Sequence, residues 1–564
     1  MTNKEAISIG PHWQAGETPI NVGSYTNIKP VINERCGTAP CRLTCPVMTD
    51  IEGFIALATD GEYEEALKLI KQTNPLPLVT GRVCVAFCET KCRRGAADEP
   101  LAIRLLERFI ADYDRYSPTP YVTEVKPATG YKVAIIGGGP AGLSAAYFLA
   151  IQGHSIAIFD KNEQLGGMLR YGIPEYRLPK TVLDREIATI SDLCSEIRHN
   201  TCLGRDFTIT DLKKQGYESI FIGIGCQTEK RLGIAGENSA GVITGLEFLH
   251  KIASGQKVDL GKRIAIVGGG NTAIDVARTA QRLGAEEINL LYRRSRAEMT
   301  AIPEEVERAQ QEGVRLHFLI APVKARINDG RIDSLECVHT ALGEPDSSGR
   351  RAPRPLPGSE FNLEVGTIVL ATGQTVDASF LPVGMLNPAG YVSVKLETMA
   401  TPIQGVFAGG DCVSGPATVV EAIAGGRRAA AYIDQYLCGQ PSTLLAGSFA
   451  HEMGELHGIN VRISEEIEPL LRVDTTTLPP EVRKVSFGEV EPGLTAEMAK
   501  REAERCLRCG ACLLCWLLCP DGAIASKEGS NGKKPAIDYD LCKSCGICAH
   551  ECPMKAIEMR TMEP

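Results

Sequence analysis

VAIIGGGPAG, residues 133–142, is the stretch that decides how the middle of this chain folds. Val133 to Ile136 is a short apolar run of the kind a buried strand makes, and an apolar helical pattern follows at 143–152. Between them, Gly137 permits a tight turn and Gly139 lets backbone approach a pyrophosphate. Pro140 and Ala141 begin the helix and Gly142 lets it pack on the strand, so that the first helical amides face the phosphates. Asp160 closes the next apolar run, 155–159, where an acidic side chain grips a ribose hydroxyl. Strand, glycine turn, helix and acid in that order spell a dinucleotide-binding unit; a plain glycine-rich turn is the bland alternative.

The pattern recurs downstream. An apolar run at 264–267 leads into Gly268, Gly270, Asn271, Thr272 and Ala273. Its following strand, 288–292, ends in Arg293-Arg294 and no acid. Arginine at that place can accommodate a 2′-phosphate, which favours NADP over NAD; a solvated basic turn is the alternative. Two Rossmann-like units imply two dinucleotides, and a flavin with a nicotinamide is the natural pair because hydride passes between them. Short apolar strands at 368–372, with Gly373 after it, and at 406–411 continue a βα alternation that argues for parallel sheets covered by helices.

Around this centre the composition sets bounds. The chain has 564 residues, enough for three to five domains, and 44% of them are hydrophobic. Aromatics are only 5%, while glycines number 57. A net charge of −9 offers no basic field for nucleic acid. The opening MTNKEAISIG is polar and is no secretory signal. The greasiest run, 513–518, is far short of the ~20 residues of a membrane span. A soluble, cytoplasmic protein is expected. The 21 cysteines are the outlier, and in a long cytosolic chain clustered cysteines bind metal more often than they pair.

Two runs near the end repeat CxxCxxCxxxCP: Cys509, Cys512, Cys515 and Cys519, then Cys542, Cys545, Cys548 and Cys552. This is the spacing of bacterial two-cluster ferredoxins, in which the fourth cysteine of each run serves the other cluster. One [4Fe–4S] cluster is therefore expected on Cys509, Cys512, Cys515 and Cys552, and the other on Cys542, Cys545, Cys548 and Cys519. Structural zinc, the alternative, pairs CxxC with a distant CxxC or histidine. Cys506 precedes the first run and is expected to be a bystander. Six more cysteines lie near the N-terminus, as Cys36, Cys41 and Cys45, then Cys84, Cys88 and Cys92, between helical patterns at 62–72 and 101–113. They are two short of what two all-cysteine cubanes need. A zinc knuckle is the alternative for the group. Cys194, Cys202, Cys226, Cys337, Cys412 and Cys438 are scattered and read as small hydrophobes.

CxxxCP at 41–46, GRVC at 81–84, LERF at 106–109, GGGPAG at 137–142, LGGMLRYGIPEYRLPK at 165–180, VGGGNTAID at 267–275, YRR at 292–294 and AGGDC at 408–412 belong together. Through them, residues 30 to about 440 resemble the small (beta) subunit of glutamate synthase and the matching half of dihydropyrimidine dehydrogenase. The resemblance implies FAD at the first site and NADPH, with NADH possible, at the second. It implies that Gly166, Gly167 and Met168 lie along the flavin, that Gly410 and Asp411 contact its ribityl chain, and that Thr418 and Val419 sit near the isoalloxazine. Arg177 and Gly373 fall among its cofactor-binding positions, and Arg293 and Arg294 inherit the 2′-phosphate role. It also groups Cys45, Cys84 and Cys88 around one N-terminal cluster. The fourth ligand there matches Glu107, whose alternative is a solvated helix carboxylate. Cys36, Cys41 and Cys92 form the other group, but Asn33 stands where the family has its fourth cysteine. Most glutamate synthase small subunits lack the C-terminal repeat, which implies a one-electron exit added to the shared core.

The expected architecture is α/β. A helical iron–sulfur domain (1–120) precedes an FAD domain (121–229 and 371–445) with an inserted NAD(P)H domain (230–370). A connector (446–495) and a ferredoxin-like domain with two [4Fe–4S] clusters (496–564) follow. With three to four clusters in all, the chain should pass electrons between NADPH and a protein partner. That partner would be ferredoxin or a larger catalytic redox subunit in a hetero-oligomer. One alternative is a glutamate synthase small-chain-like enzyme supporting reduction of a small molecule on another subunit. A non-enzymatic zinc and nucleotide scaffold is another. No CxxC lies in the dinucleotide region, which argues against a disulfide mechanism of the thioredoxin reductase kind.

Overall fold

The computed structural model describes residues 28–32, 39–346, 348–445, 469–475, 477–509, 514–529, 532–552 and 557–561. Those from 39 to 508 form one compact unit, and 28–32 with 509–561 form another.

In the larger unit the quoted stretch makes the middle strand of a five-stranded parallel sheet. The order is Val406–Ala408, Ser219–Ile222, Lys132–Ile136, Ser155–Phe159, Glu196–Arg198. Strand periodicity sends Val133 and Ile135 to one face and Ala134 and Ile136 to the other, and both faces are buried, as a parallel sheet requires. The helices Pro140–Ile151 and Val419–Cys438 cover the first face. A second parallel sheet has the order Arg315–Phe318, Glu287–Tyr292, Arg263–Val267, Thr367–Leu370, Val242–Thr244. It lies between Ile222 and Val406 in sequence, so it is an insertion into the first. Ile264 and Ile266 face the helices Gly245–Ala253 and Asn271–Arg282. Ala265 and Val267 face an antiparallel sheet, Ile320–Asn328, Arg331–Pro345, Arg351–Pro355 and Phe361–Glu364, that the sequence reading did not anticipate. Only one side of that sheet is apolar, so its strands carry charge throughout.

The N-terminal helices include Ile51–Asp60, Tyr63–Lys71, Pro77–Val83 and Ile103–Arg115 around their own core, among them Phe54, Ile70 and Leu106. The described part of the expected connector is packed onto this unit through charge. Glu489 pairs with Arg82 and Arg108, each at 2.8 Å, and Glu491 with Arg104 at 3.0 Å. Arg472 pairs with Glu89 at 2.7 Å, and Arg483 with Glu312 at 3.0 Å.

In the smaller unit, Ile524–Gly529 and Gly532–Ile537 form an antiparallel hairpin beside the short helices Leu514–Leu518 and Ile547–His550. Its last strand, Ile557–Thr561, pairs antiparallel with Ile28–Ile32, a strand from the stretch expected in the N-terminal domain.

Candidate electron-transfer site

The first glycine loop is built to admit nothing but backbone. A Cβ on Gly142 would lie 1.8 Å from the Gly137 carbonyl oxygen, and one on Gly167 2.8 Å from Gly139 Cα. Gly166 N–H donates to the Gly138 carbonyl at 2.8 Å, which fixes the GGM loop, with Met168 opening the next short helix, against the first. Asp160 is 4% exposed and accepts from the amides of Gly138 at 2.7 Å and Asn162 at 2.8 Å. Each carboxylate oxygen keeps a further lone pair for a ribose hydroxyl. Across the loop, Gly410 approaches Ala141, where an added Cβ would come to 2.7 Å. Asp411 Oδ1 is buried and has no hydrogen-bond partner among the described residues. Burial pushes its carboxyl up to about 7, helped by Glu421. A ribityl hydroxyl would supply the missing donor, so these residues fit FAD. Thr418 caps the helix Val419–Cys438 in a capping box with Glu421, presenting its positive end.

Two of the expected cofactor-binding positions, Arg177 and Gly373, sit where the dinucleotide domains join. Arg177 donates to Asp275 at 2.8 and 3.0 Å and lies 3.7 Å from Glu305, both on the inserted domain. It ties the two dinucleotide domains together. The Gly373 carbonyl accepts from Lys230 N–H at 2.9 Å, where the chain crosses between the domains.

In the second unit Gly268 turns with φ near +155° and its amide donates to Leu291. Asn271 Oδ1 accepts from Ile302 N–H at 2.9 Å, and Thr272 and Ala273 follow in the first helical turn. The two arginines separate. Arg294 is 4% exposed, with its guanidinium on Asp346 at 2.5 Å and on the Arg351 carbonyl at 2.8 Å. Arg293 is exposed, and its side chain makes no hydrogen bond or ion pair among the described residues.

Three of the N-terminal thiols gather beside Glu107. Cys45, Cys84, Cys88 and Glu107 lie within electrostatic reach of one another. Glu107 is no solvated carboxylate: it accepts from Asn74 and Thr80 at 2.7 Å each, and burial lifts it to about 7. Burial likewise pushes the Cys84 thiol up to about 12. Bound iron would replace those protons with charge of its own. The Ala86 amide donates to Cys84 Sγ at 3.4 Å. Among the described residues only His154, Asp434 and Cys438 bring three ligand atoms within 4.8 Å of one another. Glu186, which the sequence reading missed, accepts from the amides of Leu78 and Val79 at 3.0 Å each. It caps the short helix that delivers Cys84.

In the ferredoxin-like unit Cys519 lines one small pocket with Cys542, Cys545 and Cys548, the set expected for one cluster. Cys515 and Cys552 share the apolar core of that unit, and Cys509 is partly buried. Cys36 and Cys512 lie outside the described residues. Of the scattered thiols, Cys226 and Cys412 are neighbours. Both are buried, both donate to carbonyl oxygens, and both are pushed up to about 12 by burial, which keeps them unreactive.

Two dinucleotide folds, one inserted in the other and flanked in sequence by clustered cysteines, define a flavin- and pyridine-nucleotide-dependent iron–sulfur oxidoreductase. Residues 131–426 match the pyridine nucleotide-disulphide oxidoreductases, and the chain belongs to that family. Residues 33–118 match dihydropyrimidine dehydrogenase domain II with its 4Fe-4S cluster, and 535–558 match a 4Fe-4S binding domain. The chain is 44% identical over 509 residues to the NADP(+)-dependent formate dehydrogenase subunit beta of Moorella thermoacetica, covering 84% of this chain and 70% of that one. It is 38% identical over 507 residues to the NADPH-Fe(3+) oxidoreductase subunit beta of Geobacter sulfurreducens, covering 84% and 75%. It is 35% identical over 430 residues to the glutamate synthase [NADPH] small chain of Escherichia coli, covering 71% and 89%. The resemblance read from the motifs holds, and FAD, NADPH and [4Fe–4S] clusters are the cofactors of this chain. Among the described residues no helix is long and apolar enough to cross a membrane.

Proposed function

We propose that the chain is the NADPH-handling subunit of a hetero-oligomeric redox complex, exchanging electrons with a ferredoxin or with a larger catalytic subunit. The observation that carries this reading is the union of two dinucleotide folds with thiol-rich sets at both ends of one chain, with no described domain left over to enclose an organic substrate. When bound, FAD takes the electron pair of a hydride and [4Fe–4S] clusters pass electrons singly, so the set converts one mode into the other. The residues of the chain hold and orient. Its glycine loops put backbone against pyrophosphate, Asp411 offers a buried acceptor, and the N-terminal core receives buried Cys88 and half-buried Cys45. The naming of three relatives as beta subunits or small chains supports assembly with a partner. A cytoplasmic setting, where thiols stay reduced, belongs to the same proposal.

The test removes two thiolates from the C-terminal cysteine repeat. In Cys542→Ser/Cys548→Ser, NADPH should still bleach the flavin while reduction of a bacterial two-cluster ferredoxin falls to background. Undiminished ferredoxin reduction would overturn the exit route.

A further inference from the structure

The resemblance leaves the second N-terminal set one ligand short, because Asn33 stands where the family has its fourth cysteine. The fold brings another thiol to it from more than four hundred residues away in sequence. Cys506 follows the helix Ala496–Glu504, and this helix packs on the core of the N-terminal helices through Ala499 and Ala503. Cys41, Cys92 and Cys506 all lie against that one core.

The approach is bolted by buried charge. Arg505 is 1% exposed and donates to Asp98 at 2.9 Å, to the Glu99 carbonyl at 2.7 Å and to Glu502 at 2.7 Å. Glu502, fully buried, accepts from Ala102 N–H at 2.8 Å and Val473 N–H at 2.9 Å. These contacts fasten the residues just before Cys506 to the loop that follows Cys92. Cys92 Sγ in turn accepts from Leu101 N–H at 3.5 Å, the amide-to-sulfur contact that suits a metal-bound thiolate. Cys506 and Cys92 lie within electrostatic reach of one another.

We infer that Cys506 is a thiolate ligand of the second N-terminal [4Fe–4S] cluster, alongside Cys41 and Cys92, and takes the place vacated at Asn33. As it binds iron the thiol gives its proton to solvent. The inference rests on the iron–sulfur reading of the N-terminal set. Zinc in place of iron in the unaltered protein would defeat that reading, whereas the variants below test Cys506 alone.

The experiment uses the full chain, purified without oxygen. Cys506→Ala should lose about four iron atoms and the matching sulfide while keeping its flavin. The electron paramagnetic resonance spectrum of the dithionite-reduced protein should lose one component. Cys506→Ser, which keeps the size and a weaker oxygen ligand, should retain iron but shift the g-values of that same component. If the alanine variant loses flavin as well, the serine spectrum decides: a single shifted component supports ligation, and an unchanged one overturns it. Full iron content and an unchanged spectrum in the alanine variant would overturn it directly.

Discussion

Replacing Arg293 with alanine should weaken NADPH and leave NADH almost untouched, whereas Arg294→Ala should cost stability and leave the preference intact. The sequence presents the two arginines as one pair, and the structure divides them. Arg293 is exposed at the end of Glu287–Tyr292, next to the glycine turn, and its charge is not engaged by other described groups. A charge-assisted hydrogen bond to a 2′-phosphate contributes about 1.5–3 kcal/mol. At ~1.4 kcal/mol per decade, that is roughly a 10- to 150-fold loss of NADPH affinity. The lower end is expected, because an exposed guanidinium is screened by salt, and the selectivity should shrink as ionic strength rises. Arg294 is already committed to Asp346 and the Arg351 carbonyl. Its removal leaves a carboxylate and a carbonyl without their donor and costs about 1–3 kcal/mol of folding free energy. Anaerobic titration of flavin bleaching with each nucleotide, together with calorimetric Tm values, separates the two outcomes. Equal weakening of NADPH and NADH in Arg293→Ala would refute the assignment. So would a loss of selectivity in Arg294→Ala at unchanged Tm.

Two further variants test the frame around the cofactors. Burial lifts Glu186 to about 8 from an ordinary 4.5, so the stability held by its protonated form is complete below about pH 4.5 and is lost as pH rises through about 8. Thermal unfolding of the unaltered protein should therefore fall between pH 5 and 9, and Glu186→Gln should flatten that slope; parallel slopes would show that another group sets it. Arg177→Met should destabilise by about 3–5 kcal/mol, since it strands buried Asp275 without its cation while Glu305 keeps Arg278 and Arg308. Arg177→Met/Asp275→Leu should recover part of that loss with an unaltered flavin spectrum. A shifted spectrum would return Arg177 to the cofactor.

What was legible in the sequence is what local chemistry dictates. Gly137, Gly142 and the alternation of Val133 to Ile136 carry their own geometry, so both parallel sheets were readable from short stretches. The cysteine spacings did the same for the ferredoxin-like unit. The segment from 469 to 495 was unreadable because its contacts are made by Arg472, Arg483, Glu489 and Glu491 with residues far away in sequence, and ion pairs leave no apolar period. The antiparallel sheet was missed because its strands, half-exposed, mix Arg326 and Glu336 with Leu335 and Cys337. Glu107 was open between ligand and surface carboxylate until Asn74 and Thr80 were seen to hold it. Cys506 read as a bystander because the buried charges of Glu502 and Arg505, which seat the preceding helix on the N-terminal core, leave no local pattern.

The central claim, that clusters and nicotinamide share one electron path through the flavin, is tested most directly by running the path backwards. The anaerobic protein is reduced with dithionite, freed of excess reductant and mixed with NADP+, and NADPH is counted at 340 nm. The flavin alone holds two electrons and can yield one NADPH per chain, so connected clusters should raise the yield above one while their paramagnetic signals disappear. A yield that stops at one NADPH, with the clusters still reduced, would contradict the account.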